Sequence, residues 1–443
     1  MKQNISVLVH NSIVGDSRVL RAASALAEDG HQVTCFGIGK LSDELRAQSY
    51  PFEIILQDAQ AFTNMYTGAQ RLARYILGVG RRINTALHSP NSTSGGSQKM
   101  GFQRHEASDS PPEPTPSATK RSVREWILAE LIILRQSAVA NILVQVAKDK
   151  PFDVIYCHDI PALIAGRKLK AKNPNTKLVW DAHEVYDDLG THAEGRSMAM
   201  KKIIKASLPA MDRFITINQN IADYYQKNYC LSADAIVLNS CESQPGLKST
   251  SPLLQAIGAK AGERILLYQG GFSPGRGIEK LLETAVLAPK GWRFVFMGEG
   301  PLKDPLLSEA KRSEDKGFKN IDVLGSVPRS ELESWSAGAD LGAIPYPPSC
   351  MNHLYCTPNK LWEYPAAGVP IIATDLEEIT QRITEHGCGL TLHSHWTPQD
   401  LVNALQGITE KRFEDLRHGC ISLMRQEAYT EHVKPKLLEV FRD

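Results

Sequence analysis

Tyr355-Cys-Thr-Pro-Asn-Lys-Leu-Trp-Glu-Tyr-Pro-Ala-Ala-Gly-Val-Pro-Ile-Ile-Ala-Thr-Asp375 reads as a loop, a short helix, a glycine stop and a buried strand. Thr357 suits the helix cap and Pro358 the first helical position. Gly368 suits the stop, and Val369 to Ala373 form an apolar strand-like run. A helix start after a loop presents free backbone N–H groups, which attract phosphate. Lys360 and Glu363 lie three apart and share a helix face near that start. A cation there meets phosphate, and a carboxylate accepts hydrogen bonds from sugar hydroxyls. The pair suits a nucleotide-sugar.

Upstream, the same arrangement recurs. Gln269-Gly-Gly-Phe-Ser-Pro-Gly-Arg-Gly277 follows the apolar run Ile265 to Tyr268, and Arg276 sits just before a helix expected from Ile278 to Ala285. Glycines let backbone approach a ligand, and an Arg fork beside a helix start clamps diphosphate. Gly298-Glu-Gly-Pro301 and Gly325-Ser-Val-Pro328 follow strand-like runs ending at Met297 and Leu324. Each alone reads equally as a plain turn. Together with the opening segment they point to one rim. Further strands are expected at Leu341 to Ile344 and Gly389 to Leu392.

The first half alternates in the same way. Ile5 to Val9 reads as a strand, Asp16 as the cap of a helix using Val19, Leu20, Ala23 and Leu26, Gly30 as its end, and Val33 to Phe36 as the next strand. Strands follow at Val154 to Tyr156, Lys177 to Trp180, Phe214 to Ile217 and Ile236 to Asn239, with helices at 161–172, 195–210 and 219–227. Ser240 to Ala261, with Pro245, Gly246, Ser249, Ser251 and Pro252, is the expected linker. Two alternating halves imply an α/β fold of two doubly wound domains, 1–240 and 241–427. Their ligands bind beyond the carboxyl ends of the strands, so the cleft between them is the expected site.

Composition narrows the classes. The 443 residues carry 50 basic and 49 acidic side chains, net +1, so no global field recruits nucleic acid. The eight cysteines form no CxxC pair, which suits reduced thiols in a cytoplasmic protein rather than a disulfide frame or zinc site. The opening run is too short for a signal peptide core. The apolar stretch Trp126 to Ala147 is broken by Glu130, Arg135, Gln136, Asn141 and Gln145, so no transmembrane helix is expected. Residues 60–150 read as an insertion: an amphipathic helix at 66–88 with several arginines, a Ser/Pro/Gly-rich mobile loop from His88 to Lys120, and a long helix opened by the capping box Ser122-Val-Arg-Glu125. The helices of 66–88 and 122–150 either pack on the first domain or touch an anionic membrane at its inner face.

Taken together, "NIDVLGSVPRSEL", "GADLGAIPY", "PNKLWEYPAAGVPIIATD", the Gly-Glu-Gly-Pro turn and the Gly-x-x-x-x-x-Arg-Gly loop resemble the GT-B glycosyltransferases, most nearly the retaining family 4. The first half agrees through "VGDSRVLRAASALAEDGHQVTCFG", "DVIYCHDIPALIAGRKLK" and "LVWDAHEVYDD". The resemblance implies two Rossmann-like domains facing a cleft. The N-terminal one holds a glycan or lipid-linked glycan acceptor, the C-terminal one a nucleotide-sugar. A C-terminal helix near 428–441 packs back on the first domain. It further implies transfer of a hexose-type sugar with retention, no cofactor beyond the donor, and no metal.

By the same resemblance, Glu363 matches the ribose-binding carboxylate, and Arg276 the diphosphate-binding base. Pro358, Asn359 and Lys360 face the donor, backbone near Val327 holds the nucleobase, and Gly15, Gly271 and Gly298 belong to donor loops. His183 matches a histidine at the reaction centre, acting with Arg276 and Lys360. Two positions depart from the pattern: Tyr355 stands where many members have a second Glu, and Gly271 where many have Arg. On the acceptor side stand Arg18, His158 and Asp159. Arg18 lies in a helix's first turn, where the dipole disfavours cations. Either a bound anion or a solvated pair with a nearby acid would relieve it. Two His-carboxylate pairs on one rim also raise metal binding as a distant alternative. A sugar-nucleotide epimerase, forming product without acceptor, and an inactive scaffold that has lost nucleotide binding are the rival readings.

Overall fold

The computed structural model describes residues 2–13, 15–40, 49–58, 118–190, 194–242 and 250–442, with side chains from residue 123 onward in the helix that begins at Ala118. The strands of the first half are β1 (Asn4–Leu8), β2 (Gln32–Ile38), β3 (Glu53–Gln57), β4 (Val154–Cys157), β5 (Lys177–Ala182), β6 (Arg213–Thr216) and β7 (Ala235–Ile236). They form a sheet in the order β3-β2-β1-β4-β5-β6-β7, and every pairing is parallel. The second half contributes β8 (Arg264–Gln269), β9 (Trp292–Met297), β10 (Ile321–Leu324), β11 (Leu341–Ile344), β12 (Ile371–Thr374) and β13 (Gly389–Leu392). Their order is β10-β9-β8-β11-β12-β13, again all parallel. In both sheets the winding reverses beside the first strand, between β1 and β4 and between β8 and β11. Such switch points open a crevice at the carboxyl ends of the strands.

Both sheets are covered on both faces, as parallel sheets require. Ile155, Cys157, Leu178 and Trp180 enter one core. Their neighbours Val154, Tyr156 and Val179 enter another, with Ile5 and Val7. The second sheet divides likewise, with Ile265, Leu267, Val295 and Met297 on one face and Leu266, Tyr268, Phe294 and Phe296 on the other. The chain then returns. Tyr429, Val433, Leu437, Leu438 and Phe441 pack into the core beneath β1, carried by a π-turn, Tyr429–Val433, and a helix, Lys434–Glu439.

Several expectations need correction. Strand β3 was not legible. The strand expected over Ile236 to Asn239 is limited to β7, and beyond it the Val237 carbonyl and the Asn239 side chain accept from Arg18. The expected linker holds a helix, Pro252–Ile257, capped by Ser251. The long helix starts at Ala118, upstream of the proposed capping box, so Ser122 lies inside it. Its Val123–Ala147 stretch is, against expectation, long and apolar enough to cross a membrane by length and composition. Here Ala129, Ala140, Leu143 and Ala147 are buried in the first core, while Val123, Trp126 and Leu134 are exposed. The amphipathic helix expected at 66–88 and the loop at 88–117 lie outside the described residues.

Candidate active site

A cleft of about 870 Å3 opens between the carboxyl ends of the two sheets. From the first half it is lined by Asn11, Gly15, Asp16, Arg18 and His183, and from the second by Gly270, Gly271, Arg276, Gly298, Val327 and the run Cys356 to Lys360 with Glu363. The rim of the second half is built by close backbone approach. Gly298 has φ +154°, and a Cβ there would lie 1.9 Å from the Gly270 carbonyl oxygen. Gly277 caps the helix Ile278–Val286 at φ 76°, and its Cβ would lie 1.9 Å from the Pro345 oxygen. No other residue type fits either place without moving the loop.

The helix of the opening segment spans Lys360–Ala366 and its cap is Asn359, not Thr357. Thr357 is buried with its hydroxyl unpartnered, and Pro358 precedes the helix. Asn359 instead sends its amide to the Ser17 hydroxyl, 3.2 Å away across the cleft. Gly368 ends the segment at φ 72°, as its stop function requires.

Lys360 is buried, and its Nζ has no hydrogen-bond partner. The ammonium lies over the Tyr268 ring, 4.0 Å from its centroid, and 5.3 Å from that of Tyr346. Burial, reinforced by the nearby Arg276 charge and opposed by Glu363, pulls its pKa down to about 7. Arg276 stands 5.8 Å over the Tyr346 ring, and the Tyr346 and Tyr268 oxygens hold it charged against its partial burial. Glu363 accepts from Gln269 at 3.0 Å and from Arg329 at 3.4 Å. Gln269 is fixed in turn by the Ser336 hydroxyl at 2.6 Å. Sequence reasoning gave Gln269 and Arg329 no role. Their only signal was position, one ending a strand and one following the Gly-Ser-Val-Pro turn.

The first half differs. Arg18 is buried, and its fork grips Asp181 through two bonds, 2.9 and 2.7 Å long. Its remaining nitrogen reaches the Val237 carbonyl at 2.7 Å and the Asn239 side chain at 3.0 Å. The solvated pair and the ligand anion are therefore both replaced by a buried acid 163 residues away. Asp181 also accepts from the Tyr156 hydroxyl at 2.7 Å. Burial would raise its pKa, but Arg18 and His158 bring it below the usual carboxylate range.

His158 and Asp159 do not line the cleft. His158 is fully buried behind the rim, 3.6 Å from Asp181, and burial lowers its pKa to about 4, so it is neutral. Asp159 caps the helix Ile160–Lys172 by accepting from the Ala162 N–H at 2.8 Å. Its other oxygen takes His10, from the backbone N–H at 2.7 Å and ring Nδ1 at 2.6 Å. His10 was missed because a lone histidine after a strand carries no signal of its partner. His183 does line the cleft, with Nε2 3.4 Å from the Tyr186 hydroxyl and Nδ1 unpartnered. Asp16 caps the helix Ser17–Glu28, as its position suggested. Burial would raise its pKa, and the fields of His183 and His158 lower it.

Tyr355 has a role of its own. Its carbonyl accepts from Asn218 at 2.7 Å, and its side chain packs on the first core. Asn352 and Met351 join Val185 and Asp188 beside it. The segment before the helix Lys360–Ala366 thus binds the two halves together. Among the described residues no group of three or more His, Cys, Asp or Glu side chains is placed to hold a metal ion.

Comparison with known proteins bears on this geometry. The chain matches the family model of glycosyl transferases group 1 over residues 263–411 and that of Glycosyltransferase Family 4 over residues 95–240. No curated protein matches its sequence. Among solved structures it is similar to HepE of Anabaena in complex with UDP and glucose, with TM-score 0.66 and 13% identity over 99% of each chain. It is similar to sucrose-phosphate synthase of Thermosynechococcus elongatus, with TM-score 0.62 and 14% identity over 100% of this chain and 98% of that one. A third is WaaG, a glycosyltransferase involved in lipopolysaccharide biosynthesis, with TM-score 0.57 and 15% identity over 98% of each chain. At such identities the likeness is one of fold.

Proposed function

From a chain that is a GT-B glycosyltransferase resembling family 4, we propose transfer of a hexose-type sugar from a nucleoside diphosphate to a hydroxyl of a glycan or lipid-linked glycan, with retention at the anomeric carbon. The observation that carries the donor is Lys360: a buried ammonium with no hydrogen-bond partner, lining a cleft walled by glycine loops. A cation in that state is held for an anion. The diphosphate would lie against Lys360 and Arg276, which both line the cleft. Glu363 would receive ribose hydroxyls, and backbone at Val327 the base. HepE has been solved with UDP-glucose, which supports a nucleotide-sugar in a cleft of this shape. Retention and a glycan acceptor rest on the resemblance to family 4.

In the transfer, the bond from the anomeric carbon to the diphosphate oxygen breaks, and negative charge grows on the leaving group. Lys360 and Arg276 stabilise that charge from fixed positions, where a water-poor site makes each contact worth more than in bulk solvent. His183, on the first rim, would face the sugar and stabilise its oxocarbenium-like state. This charge handling needs no resident metal or cofactor.

A thermal-shift screen against UDP-, GDP-, ADP- and dTDP-sugars tests the proposal. A specific donor at 100 times its Kd should stabilise by about 2.7 kcal/mol, and the wrong ones by little. No stabilisation by any of them would sink it.

A further inference from the structure

The segment before Lys360 turns one ring away from the cleft and another into its wall. Tyr355 packs on the first core. His353, two residues earlier, lines the cleft, carried by the short helix Met351–Leu354. Its ring Nδ1 lies 3.0 Å from the Pro347 carbonyl oxygen and 2.9 Å from the Ser349 hydroxyl. A carbonyl only accepts, so Nδ1 carries the hydrogen and Nε2 keeps a lone pair. Burial, with the Arg276 charge, lowers the His353 pKa against the pull of Pro347 and Glu184, so the neutral ring keeps that lone pair. The ring stacks on Tyr346, with centroids 5.6 Å apart and planes at 24°. Arg276 and Lys360 stand 5.8 and 5.3 Å from the same Tyr346 ring. His353 therefore belongs to the group around the two cations. Glu184 lines the cleft from the first rim. Its carbonyl accepts from the Tyr225 hydroxyl at 3.0 Å, and the next N–H, of Val185, donates to Asn352 Oδ1 at 2.8 Å. Its backbone is thus held on both sides, and its charge acts on both Arg276 and His353.

We propose that His353 and Glu184 select the transferred sugar, each accepting a hydrogen bond from one of its hydroxyls, one from each rim. The inference rests on the glycosyl-transfer reading above. The sugar is bonded to the diphosphate, so a diphosphate against Lys360 and Arg276 brings the sugar to the groups around Tyr346. Both residues offer acceptors there, a ring lone pair and a carboxylate, and hydroxyls are the donors a sugar supplies. A site built to bond a hydroxyl strongly rejects an analogue that lacks it, because its own polar atoms are then left unpaired. A sugar bearing a carboxylate at the same place would meet the Glu184 charge and find no donor at Nε2. The pair therefore favours a neutral sugar with free hydroxyls. It does so with side chains other than the one at position 355, which is committed to the first core.

Isothermal calorimetry on the full chain tests this with UDP-glucose, GDP-mannose, ADP-glucose and dTDP-glucose, each beside its own nucleoside diphosphate. For a pair that binds, the ratio of the two Kd values isolates the sugar. Two replacements of His353 separate recognition from architecture. In His353→Asn the amide takes the place of Nδ1, keeps the bonds to Pro347 and Ser349, and leaves nothing at Nε2. In His353→Gln the amide reaches the place of Nε2 and gives up those bonds. Sugar recognition predicts that His353→Asn weakens the nucleotide-sugar about 3- to 10-fold with the bare nucleoside diphosphate unchanged, and that His353→Gln regains much of the loss. Glu184→Ala should weaken the nucleotide-sugar about 10-fold or more. The bare nucleoside diphosphate should then bind as well or better, since a negative charge near its phosphates is gone. A structural role would reverse the order of the two histidine variants, or lower both ligands together. Either result overturns the assignment, as does unchanged nucleotide-sugar affinity in folded His353→Asn and Glu184→Ala proteins. If the parent protein binds neither member of any pair, the glycosyl-transfer reading itself fails.

Discussion

The two rims of the cleft carry buried cations in opposite states. On the first rim Arg18 is bonded to Asp181, Val237 and Asn239. On the second, Lys360 has only aromatic faces beneath it and no hydrogen-bond partner. A buried cation whose donors are all used is architecture. One left without a partner is a cost that a ligand removes. The difference separates the residues that hold this cleft open from those that wait in it, and substitutions on the two rims should divide along the same line.

The largest effect belongs to the first rim. Asp181→Ala leaves the Arg18 guanidinium buried and unpaired, and should cost about 3–5 kcal/mol of stability. Replacing both members, Arg18→Met with Asp181→Leu, should recover much of that loss, because a well-packed apolar pair avoids the desolvation of two charges. Urea denaturation of the single and double variants checks both. A stable Asp181→Ala protein would show that the rim does not depend on this pair.

Next comes Lys360, with the opposite signature. Lys360→Met should leave the free protein as stable or more so, and weaken donor binding by about 1.5–3 kcal/mol, the worth of a hydrogen bond to a charged group. The pH dependence follows from the lowered pKa. Between about 7 and the ordinary 10.5, the unfolded chain holds a proton on Lys360 that the folded chain lacks. Stability should therefore rise with pH across that window, and Lys360→Met should flatten the rise. Because diphosphate favours the ammonium, donor binding above pH 7 should take up a proton. Calorimetry in buffers of different ionisation enthalpy reads that proton directly. Below pH 7 the uptake should vanish.

Much of this cleft was legible in the sequence, and what was missed has a common cause. Apolar runs and glycine punctuation placed β8, β9 and β11, and the loops after them, because period and turn chemistry are local signals. Helix starts were less secure. Thr357 has the better cap chemistry, yet the helix begins at Lys360, and Asn359 turns its amide across the cleft to Ser17. Tertiary contact outbid the local preference there. Pairings were not legible at all. Arg18 finds Asp181 163 residues on, and His10 finds Asp159 149 residues on. No spacing rule reaches so far, so the internal partners of Arg18 and Asp159 were not legible from the sequence.

Glu363 falls between the two states, since it already has Gln269 and Arg329 as partners. Glu363→Ala should cost roughly 1–2 kcal/mol of donor affinity and less of stability. The loss in binding is limited because a ligand's hydroxyls share the carboxylate with those partners. Unchanged affinity in the folded variant would remove Glu363 from the ribose site.

The smallest effect tests whether the rims communicate. Asn218 does two things: its oxygen caps the helix Gln219–Tyr229 through Ile221 N–H at 2.9 Å, and its amide donates to the Tyr355 carbonyl at 2.7 Å. Asn218→Asp keeps the cap, since Asp is as good a cap as Asn, and replaces the donated bond by two facing acceptors. The loss should be about 0.5–1.5 kcal/mol. Where it appears is informative. If the Tyr355 segment merely joins the halves, melting temperature alone falls. If it also sets the position of the helix that follows, five residues on at Lys360, the donor's KM should rise as well while kcat with saturating donor is preserved. By the resemblance to family 4, Tyr355 stands where many members carry a second carboxylate; a rise in KM would mean that its grip on Asn218 also sets the position of the helix that follows.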